Sequence, residues 1–162
     1  MSMQRANAHW VVWMSLLIAS ILAIVPLPSE LSVARPAWAA LVVIYWVLAL
    51  PERFGMIFSF VAGIILDILT STPFGLHSLA LISITAIVLS LQRRLRIFPW
   101  FQQICTVLLI MICYQLIILW GRSAVGHAIP SLWQLLPAIT SALLWPFIAH
   151  ILRFVRCTCR VV

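Results

Sequence analysis

The chain has 162 residues, of which 65% are hydrophobic and 8% charged. A soluble domain carries roughly 25% charged residues and 45–50% apolar ones, and ten basic plus three acidic groups cannot coat 18.3 kDa of protein. A water-soluble fold is therefore excluded. The mean hydropathy of +1.18 comes from long apolar runs, the pattern of an all-α, polytopic integral membrane protein. The net charge of +7 would point to nucleic acid in a soluble protein. Beside membrane spans it instead sets topology and meets anionic lipid, so no nucleic-acid partner is expected. All ten basic residues are Arg; Arg grips phosphate bidentately, although biased codon usage accounts for the pattern equally well.

Six apolar runs follow in order: 10–27, 37–50, 54–69, 74–91, 101–120 and 132–152. Each is read as a transmembrane helix of a single domain covering residues 1–162. Unsatisfied backbone is not tolerated in lipid, and the alternation of a β-barrel is missing. Pro26, Pro28, Pro36, Pro51, Pro73, Pro99 and Pro130 fall at or beside the joins, as expected of a residue without an N–H. Spans of this number leave no room for a soluble catalytic or ligand-binding domain.

The first run could be a signal peptide with Arg5 before it. Its 18 apolar residues exceed the roughly 7–15 of such segments and no small-x-small cleavage site follows, so a retained span is expected. The second and third runs reach only about 21 and 24 Å, below the roughly 30 Å hydrocarbon core. Joined through Pro51-Glu52-Arg53, they form a tight hairpin that either recruits flanking residues or leaves a dip in the surface.

Within the third run Gly55, Ser59, Gly63 and Asp67 recur every four residues and so share one helix face. Small residues at this spacing let a second helix approach closely. Internal packing is the preferred reading; a face receiving a partner's helix is the alternative. Asp67 is the one acid inside an expected span, close to its outer end. Intramembrane carboxylates are functional candidates by default, yet at this depth a structural ion pair with Arg35 or Arg122 is favoured over proton or solute work, with His77 nearby in depth. The Thr70-Ser71-Thr72-Pro73-Phe74-Gly75 turn follows, and three of the five glycines lie between residues 55 and 75, which makes this hairpin tight and leaves open a re-entrant turn lining a small cavity.

In the fifth run Cys105 and Cys113 are read as small apolar residues. Trp145-Pro146 is expected to kink the sixth. Cys157 and Cys159 follow it on what the charge pattern makes the reducing side, so no disulfide is expected, and Cys-x-Cys alone is a poor zinc site. Lipidation there is a weaker alternative.

Six spans put Arg5, Arg53, Arg93, Arg94, Arg96, Arg153, Arg156 and Arg160 on one side and only Arg35 and Arg122 on the other. Eight against two is a positive-inside signal that places both termini in the cytoplasm. Trp10, Trp38, Trp100, Trp120 and Trp133 fall near the expected ends, where amphipathic rings sit at the interface. The cytoplasmic face of Arg93, Arg94, Arg96, Arg153 and Arg156 is read as a topology and lipid-contact feature, with docking of an acidic partner as the alternative. No Ser-His-Asp set, His-Glu-x-x-His or phosphate-cradling loop occurs, and His9, His77, His127 and His150 are dispersed. Catalysis, a metal and a cofactor are not expected.

From Arg35 to Gly75 the chain resembles the rod shape-determining MreD family. The residues concerned are Arg35-Pro36, Tyr45-Trp46, Leu50-Pro51, Arg53, Gly55, Phe60, Gly63, Asp67 and Gly75, with Leu144-Trp145-Pro146 and Arg153 matching the last span and basic end. Each motif is loose alone; their joint order is specific, and the likeness covers nearly the whole chain. Two departures are Ser59, where the family often has Gly, and the Cys157-Thr158-Cys159 tail. The resemblance implies a non-enzymatic inner-membrane component of the bacterial elongation complex, associated with MreC, the MreB filament and lateral cell-wall synthases. It also implies a helix arrangement similar to the substrate-binding subunits of energy-coupling-factor transporters. The rival expectation is a small-solute binding or transport protein whose outer pocket uses Asp67, the 70–75 turn and Tyr114 or Gln115.

Overall fold

The computed structural model describes residues 7–25, 35–95, 97–124, 126 and 132–158. Among them are six α-helices: α1 (Asn7–Ile24), α2 (Trp38–Ala49), α3 (Met56–Thr70), α4 (Leu76–Leu95), α5 (Trp100–Ala124) and α6 (Leu136–Thr158). A 3₁₀ turn, Leu132–Leu135, leads into α6. By length and composition α4, α5 and the Trp133–Thr158 segment can each cross a membrane, while the apolar parts of α1, α2 and α3 are shorter.

Helices and apolar runs differ most at their carboxyl ends. The fourth run, 74–91, extends to Leu95, the fifth, 101–120, to Ala124, and the sixth, 132–152, to Thr158. Hydropathy marks where lipid-compatible side chains stop, but Gln and Arg are good helix formers. Arg93, Arg94, Arg122 and Arg156 also sit in last turns, where the helix dipole favours a cation. The first run behaves oppositely, its helix closing at Ile24 rather than residue 27. Pro146 lies inside α6, and the helix continues through it.

The centre of the bundle is α2, with only 12 residues. Its stretch from Ala39 to Leu48 is buried throughout, and it packs against α1, α3, α4 and α6. A helix apolar on every face is the type that can be enclosed on every side. Trp46, fully buried, donates its indole N–H to Ser15 Oγ of α1 at 2.9 Å. The Ala37 N–H donates to Ser141 Oγ of α6 at 3.0 Å. An edge-to-face aromatic chain runs from Trp13 through Phe58 to Phe54, with centroids 5.5 and 5.1 Å apart, and Phe54 leans on Trp46 at 6.5 Å. Outward faces of α1, α5 and α6 keep large apolar side chains such as Trp10, Ile18, Leu109 and Phe147 exposed, the surface a bilayer or a partner helix accepts.

Candidate functional site

The Gly-Ser-Gly-Asp ladder of α3 is turned inward, onto α4. Ser59, Gly63 and Asp67 are all buried. A Cβ built on Gly63 would lie 2.2 Å from the Ser78 Cα and 2.5 Å from its nitrogen, so here two helix backbones touch and only glycine fits. One turn away Ser59 Oγ and Thr85 Oγ1 share a hydrogen bond of 2.6 Å. Gly55, just before α3, has its nearest non-neighbour atom, the Pro51 oxygen, 3.7 Å from a built Cβ, so the close approach begins above it. With no hydrophobic drive between helices in lipid, such contact and hydrogen bonding are what hold the pair.

Asp67 closes the ladder and ties the turn. Its Oδ1 accepts from Thr72 Oγ1 at 3.0 Å and from the His77 backbone N–H at 2.9 Å, and lies 2.9 Å from His77 Nδ1. Its Oδ2 accepts from the Gly75 N–H at 2.8 Å and the Ser78 hydroxyl at 3.4 Å. Gly75 takes φ +96°, a conformation that favours glycine, and this presents its N–H to the carboxylate. Ser71 adopts the left-handed conformation that ends α3, its N–H returning to the Asp67 carbonyl. The carboxylate thus caps the amino terminus of α4, where the helix dipole and free N–H groups favour an anion.

Depth alone suggested Arg35 or Arg122 as the ion partner of Asp67; among the described residues neither arginine forms an ion pair with it. The side-chain contact is made by His77, whose Nδ1 lies 2.9 Å from Oδ1. Arg35 directs Nη1 and Nη2 to the carbonyls of Ala23 and Val25, closing the carboxyl end of α1. Ten residues along the chain and at the start of the next helix, His77 reaches Asp67 by a local turn, whereas Arg35 meets orphan carbonyls first.

Beside this hairpin a cavity of about 250 Å³ opens among helix ends. The tail of α1 (Ala23), the head of α2 (Trp38, Ala39, Ala40), Leu66 and Thr70 of α3, His77 of α4, Tyr114, Gln115, Ile118 and Arg122 of α5, and Pro137 of α6 line it with Arg35, Pro36 and Ala37. Tyr114 and Gln115 therefore belong to it, as the solute-binding expectation required. The Asp67 carboxylate does not, since its side chain is fully enclosed.

The opposite end carries the other arginines. Arg93 and Arg94 are exposed at the end of α4 and Arg153 near that of α6, while Arg156, half-buried, lies beside Tyr45 of α2. Trp100 and His150 stack there with centroids 5.4 Å apart. Arg96 and Cys159 lie outside the described residues. Cys105 and Cys113 face outward from α5 rather than into the core, and Cys157 is also exposed. No cluster of three or more His, Cys, Asp or Glu able to hold a metal occurs among the described residues.

Sequence reasoning missed Ser78 and Thr85, the α4 side of the contact. Their signal was present: two polar residues seven apart in an apolar helix share a face. It also missed Gly121, where a built Cβ would fall 2.1 Å from Leu76 Cδ1 and where α5 closes on α4.

In sequence, the chain is similar to known proteins over nearly its full length. A family model described as rod shape-determining protein MreD matches residues 4–155. The rod shape-determining protein MreD of Haemophilus influenzae is 35% identical over 141 residues, covering 86% of each chain. No solved structure matches the chain at a significant level.

Proposed function

Since this chain belongs to the MreD family of rod shape-determining proteins, we propose that it acts as a non-enzymatic scaffold of the bacterial inner membrane. In this reading it binds MreC and, directly or through it, the MreB filament and elongation-specific cell-wall synthases, and so helps organise lateral peptidoglycan synthesis. Six crossings with both termini cytoplasmic follow the eight-to-two arginine count. A helix arrangement like that of energy-coupling-factor substrate-binding subunits belongs to the same proposal.

One observation carries the reading: the acid at the end of the α3 ladder is consumed by the fold. Asp67 is enclosed by donors from Thr72, Gly75, His77 and Ser78, which favours architecture over proton or solute chemistry. The ladder of Ser59, Gly63 and Asp67 serves internal packing, with Gly55 and Gly75 shaping its two ends and Arg35 holding α1. Contact with partners then falls to the exposed apolar faces of α1, α5 and α6. Arg93, Arg94, Arg96, Arg153 and Arg156 meet anionic lipid at the cytoplasmic face.

Depletion of the protein in a rod-shaped host, with recovery of tagged MreC scored in parallel, tests this. Rounding of the cells together with loss of MreC co-purification is expected; retained rod shape, or co-purification unchanged by crowding substitutions on the outer faces of α1, α5 and α6, overturns it. The solute-binding alternative draws on the cavity between Arg35 and Arg122, and that cavity leads to a separate inference.

A further inference from the structure

We propose that the cavity among the helix ends binds a phosphate group, held between the guanidinium groups of Arg35 and Arg122. Both side chains line it, and they approach from different elements, the segment before α2 and the last turn of α5. Of the three acidic residues in the chain, Glu52 lies in the turn between α2 and α3 and Asp67 is sealed inside the hairpin; Glu30 lies outside the described residues. Two positive charges thus face one cavity whose described lining contains no acid.

Arg35 is already oriented for this work. Its Nη1 and Nη2 are anchored on the Ala23 and Val25 carbonyls, contacts that position the guanidinium without cancelling its charge. Its Nε is buried and meets no acceptor among the described residues. Arg122 is exposed on the other wall and free to close on an anion. Arginine forks match phosphate oxygens in two-point geometry, and charge-assisted hydrogen bonds strengthen as water is excluded.

The remaining walls suit what a phosphate would carry. About 250 Å³ exceeds the volume of a bare phosphate, and Trp38, Ala39, Ala40 and Leu66 offer apolar surface for an attached body. The same chemistry is presented by a phospholipid head group and by free phosphate. This site is independent of the scaffold reading, because it uses none of the surfaces assigned there to partners.

The test uses the full chain purified in a neutral detergent. Native mass spectrometry with phosphatidylglycerol against phosphatidylcholine reads the lipid source; the shift in unfolding temperature with inorganic phosphate reads the free one. Arg122→Gln lies on an exposed side chain and is the decisive variant, with Arg35→Gln beside it and Arg93→Gln/Arg94→Gln as the basic-surface control for inorganic phosphate only. Binding weaker by about tenfold in Arg122→Gln, with the control unchanged, is the expected result. Preference for phosphatidylglycerol assigns the lipid; a response to phosphate alone assigns the free anion. The proposal is overturned if neither probe binds, if Arg122→Gln binds both as the parent does, or if binding emerges only in Glu30→Gln.

Discussion

Asp67 Oδ1 lies 2.9 Å from both the backbone nitrogen and the ring Nδ1 of His77, so one residue grips the same oxygen by main chain and side chain together. The amino terminus of α4 is thereby locked to the carboxyl end of α3. A buried carboxylate with this many donors is a structural joint whose loss leaves all of them unsatisfied at once.

Replacing Asp67 with Ala is expected to destabilise the protein by about 3–5 kcal/mol, the range for breaking a buried pair by removing one partner. Asp67→Asn retains an acceptor but turns an amide donor toward other donors, so an intermediate loss is expected. Unfolding in a mixed detergent series reads both, and an Ala variant as stable as the parent would remove the joint from the account.

Gly63 and Gly75 require glycine for different reasons, and their alanine variants separate them. At Gly63 the added methyl meets the Ser78 backbone, so a loss of about 1–3 kcal/mol or more is expected from overpacking. At Gly75 nothing lies within 4 Å, and only the positive φ opposes the change, at about 1–2 kcal/mol. Ser78→Gly should leave the Gly63→Ala loss in place, because the closest contacts, at 2.2 and 2.5 Å, are with backbone atoms that glycine keeps, and should leave Gly75→Ala unimproved.

A double-mutant cycle on Ser59→Ala and Thr85→Val tests the 2.6 Å hydroxyl pair. Hydrogen bonds between membrane helices average about 0.6 kcal/mol in such cycles, and a coupling of that order is expected here. Zero coupling would mean that the two helices are held by backbone contact alone.

Exchanging charges between Arg35 and Asp67 is expected to give no rescue. The two groups serve different joints, one at the end of α1 and one at the head of α4. Arg35→Gln alone should raise amide exchange at the last turn of α1 while leaving the 70–75 turn protected. Recovery of stability in the exchanged double variant relative to both singles would restore the direct pair.

The sequence made the α3 ladder readable because spacing by four is a property of one helix. What it meets was not, since the register between helices depends on tertiary packing. Ser78 and Thr85 carried a recognisable polar pattern but nothing naming α3 as its partner. Arg35 was assigned to Asp67 by depth, a coordinate that ignores the shorter path to His77 and the nearer carbonyls of α1. The central place of α2 was hidden for another reason. An all-round apolar helix is equally compatible with lipid and with a protein interior, so residues 37–50 read as a short span with no indication of the burial seen in the structure. The three helices of α4, α5 and Trp133–Thr158 were plain because length and hydropathy suffice for them.

The shortness of α2 bears on biogenesis. Its 12 residues make about 18 Å of helix, well under the roughly 30 Å of hydrocarbon a lone segment must cover. Left alone by the insertion machinery, such a segment has no stable resting place. Its partners include α4 and α6, which are synthesised after it. The heart of the bundle is therefore fully enclosed only once the last helix has been made.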